Sequence, residues 1–278
     1  MQPSESTANH KVPPNSPPLP RGEFLGDDEA VLNLSLNEQY WSEDGRLLTM
    51  SSISSPSKGT LESGNYMIRQ PVSEPASQAG AAAMVADPLV WLQNYTETKD
   101  SHWREAGARC PYRPFPDKPY FRSIVEMFQR EPVLFIEKSR DMMVSWLCVG
   151  LFTHAAMTTE GIEVLFQSQK EDKAFELVEY AKVLYERQDP ALKKAFPLKR
   201  KHQAEGVLEF AHGGRIIGIP GGGDQIRSYH PWGLFQDEAA FMPEAGESYD
   251  HAVPVCQKIV VVSSAGPGWF ADFVSSAV

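Results

Sequence analysis

The chain has 278 residues, 42% of them hydrophobic and 22% charged, enough to bury a sizeable core in one α/β domain with a tail. Its net charge of −10 excludes binding of nucleic acid through overall charge, so any such contact must come from a local basic face. Three cysteines (Cys110, Cys148 and Cys256) form no CxxC pair, which argues against a zinc site and for a reducing compartment.

The acidity is concentrated early. Residues 1–90 hold 11 acidic and 5 basic side chains, and the remainder is nearer balance with 25 and 21. Residues 1–22 are rich in Pro, Ser and Asn, a composition that predicts disorder. Residues 23–85 show no sustained periodicity; they have room for short elements but support no assigned fold, so 1–85 is expected to be a largely disordered extension. Met1-Gln-Pro-Ser-Glu-Ser lacks the basic start and apolar core of a signal peptide. From Ala86 to Gln129 the pattern predicts two helical pieces, Pro88–Thr98 and Pro119–Gln129, interrupted by the Pro-rich stretch Arg109–Pro116.

Pro132–Glu137 then reads as a buried strand, followed by the loop Lys138–Ser145 and an apolar helix through Met157. That helix is far too short to cross a membrane. Ile162–Ser168 predicts a second buried strand, and Gln169–Gln188 an amphipathic helix. Val207–Phe210 and Arg215–Ile219 predict a hairpin around His212-Gly-Gly. Two more apolar runs end at Asp237-Glu238 and in Ser263-Ser264-Ala265. Strands alternating with helices imply an α/β fold with a mostly parallel sheet flanked by helices, spanning residues 86–278.

Two segments carry chemistry. A strand, an eight-residue loop and a helix opening on Ser is the layout of a phosphate-binding loop, in which backbone N–H groups and a helix N-terminus face the anion. The loop is Lys138-Ser139-Arg140-Asp141-Met142-Met143-Val144-Ser145. The usual pattern is Gly-x-x-x-x-Gly-Lys-Ser/Thr, so Lys138 occupies the first Gly position, Met143 the second and Val144 the lysine position. Lys138 can still supply the cation from the strand tip, Arg140 a second positive charge, and Ser145 a hydroxyl for Mg²⁺. The second segment is Asp237-Glu238 at the C-terminal tip of a strand, where an α/β sheet places its chemistry. Asp237 can hold a metal that bridges phosphates while Glu238 orients or deprotonates a water. An acidic first helical turn also fits Asp237-Glu238, and an ordinary βα turn also fits the loop.

Taken together, the two segments resemble the large subunit of viral and phage terminases, the ATPase motors that package double-stranded DNA. Lys138-Ser-Arg-Asp-Met-Met-Val-Ser145 is similar to the family's deviant Walker A, with its lysine at the start of the loop. Trp232–Phe241 resembles its Walker B with catalytic Glu, and Val260–Gly266 its coupling motif. Gly218–Pro231 is similar to the loop that precedes Walker B. The resemblance covers roughly residues 88–278 and implies a P-loop NTPase of the RecA-like ASCE type that uses ATP and Mg²⁺. It assigns the phosphates to Lys138 and the loop backbone, the metal to Ser145 and Asp237, the water to Glu238, and coupling to Ser263, Ser264 and Ala265. Arg140 and Arg227 are the candidates for stabilising the transferring phosphoryl group, each equally consistent with a structural ion pair. In the family an aromatic and a Gln ahead of the first strand help hold adenine, which nominates Phe115, Tyr120 and Gln129.

The resemblance further implies double-stranded DNA, a portal and procapsid, a small terminase subunit and a homo-oligomeric ring as partners, in the host cytoplasm, with no membrane. Lys193, Lys194, Lys199, Arg200 and Lys201 could form a basic face for DNA or a solvated helix end. The family's nuclease domain, with its own metal-binding carboxylates, is expected beyond residue 278 or on another chain, and no nuclease activity is expected here. A helicase of related fold needs a second motor domain. A non-catalytic nucleotide-binding module fits the degenerate loop but has no use for Glu238.

Overall fold

The computed structural model describes residues 29–34, 39–41, 47–49, 78–100, 102–105, 107–200 and 203–276. In chain order it begins with β1 (Glu29–Leu34) and a separate antiparallel pair, β2 (Gln39–Trp41) with β3 (Leu47–Thr49). Two helices follow, α1 (Gln78–Met84) and α2 (Pro88–Tyr95). Asp87 caps α2 by accepting from the amides of Leu89 and Val90, and Pro88 opens the helix where a missing N–H costs nothing. A short hairpin, β4 (Glu97–Lys99) with β5 (Tyr112–Pro114), leads to α3 (Phe121–Arg130).

The central sheet is then built by β6 (Val133–Lys138), α4 (Val144–Thr158), β7 (Glu163–Ser168), α5 (Glu171–Glu186) and the short α6 (Pro190–Ala195). β8 (Val207–Glu209), β9 (Arg215–Pro220), β10 (Gly233–Asp237), α7 (Ala245–Ala252), β11 (Lys258–Ser263) and α8 (Trp269–Ser276) complete it. Its seven strands run in the order β1-β6-β11-β10-β7-β9-β8, and every pair except β8–β9 is parallel. The α/β architecture expected from the sequence is therefore present, with one strand, β11, inserted between the two that carry the loop Lys138–Ser145 and the paired acids.

Two apolar cores lie on the two faces of this sheet. One packs α2–α5 on β6, β7 and β10 through Trp91, Phe121, Phe152 and Phe166, all fully buried. The other packs α7 and α8 through Phe135, Tyr249 and Phe270, with Phe135 stacked on Phe273 at 4.0 Å. Strands covered on both faces read as continuous apolar runs, which is why β7, β10 and β11 are buried at every position. α4 is likewise apolar nearly all round, because it lies between the sheet and its neighbouring helices. Truncating one of these aromatics to Ala costs about 3–5 kcal/mol.

The chain departs from its sequence reading in two places. The helix expected over Pro88–Thr98 stops at Tyr95, since Thr96 is already extended, and Thr98 belongs to β4. The Pro-rich stretch supplies β5. Two three-residue strands, one ending in Pro114, are too short to show a period of two. Within residues 23–85, where the sequence leaves room for short elements, Glu29–Leu34 pairs in parallel with β6 at the sheet's edge. Residues 1–22 lie outside those described. No helix among the described residues is long and apolar enough to cross a membrane.

Candidate active site

The C-terminal ends of β6, β11, β10 and β7 open into one cleft of about 930 Å³. In open α/β sheets this is where ligands bind. Its floor is the loop Lys138–Ser145 and the tip of β10. One wall is the β4–β5 hairpin with Lys99, Asp100 and Arg113, and another is the face of α5 with Lys173, Glu176 and Tyr180.

Lys138 is the last residue of β6, with a buried side chain. Beyond it the backbone turns through the left-handed region twice, at Asp141 (φ 61°) and Met143 (φ 57°). Neither is glycine, and the left-handed region costs an L-residue roughly 1–2 kcal/mol. Met143 thus adopts the conformation that the second Gly of a phosphate loop supplies more cheaply. Met143 is also the N-cap of α4, and no side chain caps the first amides of that helix.

The two segments meet. Ser145 Oγ donates to Asp237 Oδ1 at 2.8 Å across 92 positions of sequence, and Lys138 Nζ lies 3.1 Å from Glu238 Oε1. Glu238 itself is left-handed (φ 58°) and half-buried, and its other carboxylate oxygen accepts from Ser264 Oγ at 3.0 Å. Ser263 Oγ accepts from the Ala240 amide at 3.0 Å, tying the end of β11 to the turn after the acids. Ala265 is exposed beyond it. Burial pushes the Asp237 carboxyl up to about 6, against the downward pull of the Ser145 hydrogen bond and the Lys138 charge, with the neighbouring Glu238 adding to the rise. A carboxylate and a hydroxyl are hard oxygen donors that suit Mg²⁺, which takes one or two protein ligands and keeps several waters.

Ser139, Arg140, Asp141 and Met142 complete the loop, and Arg140 is exposed at the cleft. Arg227 is elsewhere. The 3-10 turn Gly223–Ser228 packs on α7, which directs Arg227 Nη2 to His251 Nε2 at 2.6 Å and Nη1 to Asp224 at 2.9 Å. Of the three residues nominated for adenine, Phe115 is buried against Phe121 and Gln129 is exposed outside the cleft. The hydroxyl of the third, Tyr120, is bonded to the loop carbonyl of Met142. In the basic cluster Lys199 pairs with Glu209 at 2.7 Å, Lys193 donates to the Glu186 carbonyl, and Lys201 lies outside the described residues.

Several contributors carried no sequence signal. Trp146 stacks on Tyr180 at 4.1 Å and 11°, joining the start of α4 to the α5 wall. Behind the acids, Gln236 Nε2 donates to Gln167 Oε1 at 2.9 Å, and Gln167 donates to Ser248 Oγ at 3.1 Å. These fully buried amides fix β10 against β7 and α7. Only a chain segment that comes from elsewhere in the sequence reveals such partners.

Neither a protein-family model nor a curated protein matches the sequence. The structure resembles solved ones in fold. The HK97 bacteriophage large terminase superposes with a TM-score of 0.52 at 10% identity, over 69% of this chain and 42% of that one. The fold is that of a phage large terminase. A point mutant of the Thermus phage P74-26 large terminase ATPase domain aligns over 64% of this chain and 74% of its own, at 13% identity and a TM-score of 0.39. This chain spans less than half of the HK97 protein's length. At such low identity the terminase likeness is one of fold, and what the cleft does must be argued from its own residues.

Proposed function

We propose that this chain is the ATPase motor module of a phage large terminase, hydrolysing ATP with Mg²⁺ to drive double-stranded viral DNA into a procapsid. The observation that carries the reading is the 2.8 Å contact between Ser145 and Asp237, which brings a helix-opening hydroxyl and a strand-end carboxylate to one point beneath an uncapped helix N-terminus. Lys138 and the amides of residues 139–145 bind the β- and γ-phosphates. Ser145 and Asp237 hold Mg²⁺, which when bound neutralises charge on the phosphates. Glu238 orients the attacking water, and Arg140, already in the cleft, stabilises the transferring phosphoryl group. Phosphate draws the Lys138 ammonium off Glu238, freeing that carboxylate for the water while Ser264 keeps its other oxygen.

On this reading Ser263, Ser264 and Ala265 pass the state of Glu238 along β11 to the DNA-moving parts. Residues 86–278 make up the ATPase domain, to whose sheet the N-terminal extension 1–85 adds β1. The portal and procapsid, a small terminase subunit and a ring of copies of this chain are the partners, in the host cytoplasm. The test is phosphate release from MgATP, with and without DNA. Wild type turns over and Glu238→Gln falls by about 10²–10⁴-fold while still binding nucleotide. Equal rates in the two proteins would remove Glu238 from the mechanism.

A further inference from the structure

Tyr120 stands at the start of α3, 22 residues before the carbonyl it holds. Its hydroxyl donates to the carbonyl oxygen of Met142 at 2.7 Å. That carbonyl lies between the two left-handed residues of the phosphate loop, Asp141 and Met143. The Tyr120 ring sits edge-on to Phe121 (5.3 Å, 86°), and Phe121 is fully buried. The hydroxyl is therefore a donor fixed to the core rather than a flexible surface group.

A trans peptide is one rigid plane, with its C=O and N–H pointing opposite ways. Holding the Met142 carbonyl toward Tyr120 turns the Met143 amide N–H away from it, and Met142 and Met143 both line the cleft. A phosphate loop binds anions through amides held in such a concave array, which glycine usually permits at no steric cost. Here a methionine occupies the strained position, so the array needs an external support. We propose that Tyr120 is a positioning residue that locks the phosphate loop in its anion-binding conformation, doing by tertiary contact what the missing glycine does by conformational freedom. This assignment rests on the nucleotide-binding reading above, and replaces the adenine role that resemblance gave Tyr120.

A receptor whose binding-competent state is only partly populated loses apparent affinity by that fraction. Deleting one hydrogen bond worth about 1 kcal/mol corresponds to about a fivefold loss. The experiment uses the full chain and two variants, Tyr120→Phe and Tyr120→Phe with Met143→Gly. Tyr120→Phe keeps the ring and its packing, so melting confirms that the fold survives. Titrations with MgATP, MgGTP and inorganic tripolyphosphate are expected to show about fivefold weaker binding in Tyr120→Phe, by the same factor for all three. Met143→Gly in that background is expected to recover most of the loss, because glycine adopts the left-handed turn unaided. In nucleotide-free protein, amide hydrogen exchange at residues 141–144 is expected to speed up in Tyr120→Phe and to be unchanged in β10.

Unaltered binding by Tyr120→Phe overturns the assignment. A loss confined to MgATP also does, since it marks a base contact, as does a loss that Met143→Gly leaves in place. Should wild type bind no nucleotide, the motor reading fails by itself, and the exchange arm still decides whether Tyr120 holds the loop.

Discussion

The loop Lys138–Ser145 and the tip of β10 both turn through the left-handed region without glycine, and they are held there by different means. The loop bends at Asp141 and Met143 and is secured from outside, by the Tyr120 hydroxyl on the Met142 carbonyl and by the start of α4. Glu238 bends once and is secured by its own side chain, which pairs with Lys138 and accepts from Ser264, while its backbone carbonyl accepts from the Phe241 amide at 3.0 Å. Strain kept at a functional site needs surroundings that over-determine it. In the loop those surroundings are a neighbouring helix. At the acids they are the functional groups themselves, so nucleotide is expected to release the second restraint and leave the first intact.

The largest break in that comparison comes from the loop's free-standing charge. Arg140→Ala is expected to lower turnover by about 10³–10⁵-fold with nucleotide binding largely kept, read by steady-state phosphate release. A loss below tenfold would move the phosphoryl-stabilising role to another arginine. Lys138→Ala cuts the link between the two regions. Losing charge-assisted bonds to phosphate, it is expected to weaken MgATP binding about 10- to 100-fold in a calorimetric titration.

Asp237→Asn separates chemistry from stability. The folded carboxyl titrates at about 6 against an ordinary 3.8, so the folded state holds the proton more tightly than the unfolded one. Its charge therefore costs stability, in full above about pH 6 and progressively less toward pH 4. Without Mg²⁺, Asp237→Asn is expected to melt higher than wild type at pH 7, with the gap closing near pH 4. A gap that widens on acidification would contradict the burial argument. The smallest effect belongs to the loop. Met143→Gly is expected to change stability by less than about 1 kcal/mol, relief of strain offsetting the glycine's greater freedom when unfolded. Met143→Val, β-branched in a left-handed turn, is expected to destabilise more, as denaturant midpoints would show.

The strands were legible because burial on both faces writes continuous apolar runs, as in Glu163–Ser168 and Gly233–Asp237. The paired acids were legible for the same reason, standing where such a run stops. The loop was only half legible. Lys138 and Ser145 are recognisable by chemistry, but nothing in Asp141 or Met143 announces a left-handed turn, since Tyr120 and the adjoining helix impose it. Arg227 is a position that the sequence left open between a phosphoryl-stabilising role and an ion pair. The fold pairs it with Asp224 and His251. The β4–β5 hairpin escaped because its pairing is tertiary, with no local period to betray it.

Ser145 and Asp237 are proposed to hold one ion together. A double-mutant cycle on Mn²⁺ affinity in the presence of ATP, with Mn²⁺ standing in for Mg²⁺ and read by electron paramagnetic resonance, tests this most directly. Ser145→Ala and Asp237→Asn are each expected to weaken Mn²⁺ binding, and the double variant to lose clearly less than the sum of the two. Fully additive losses, or an affinity untouched by either substitution, would mean that the two side chains do not share an ion.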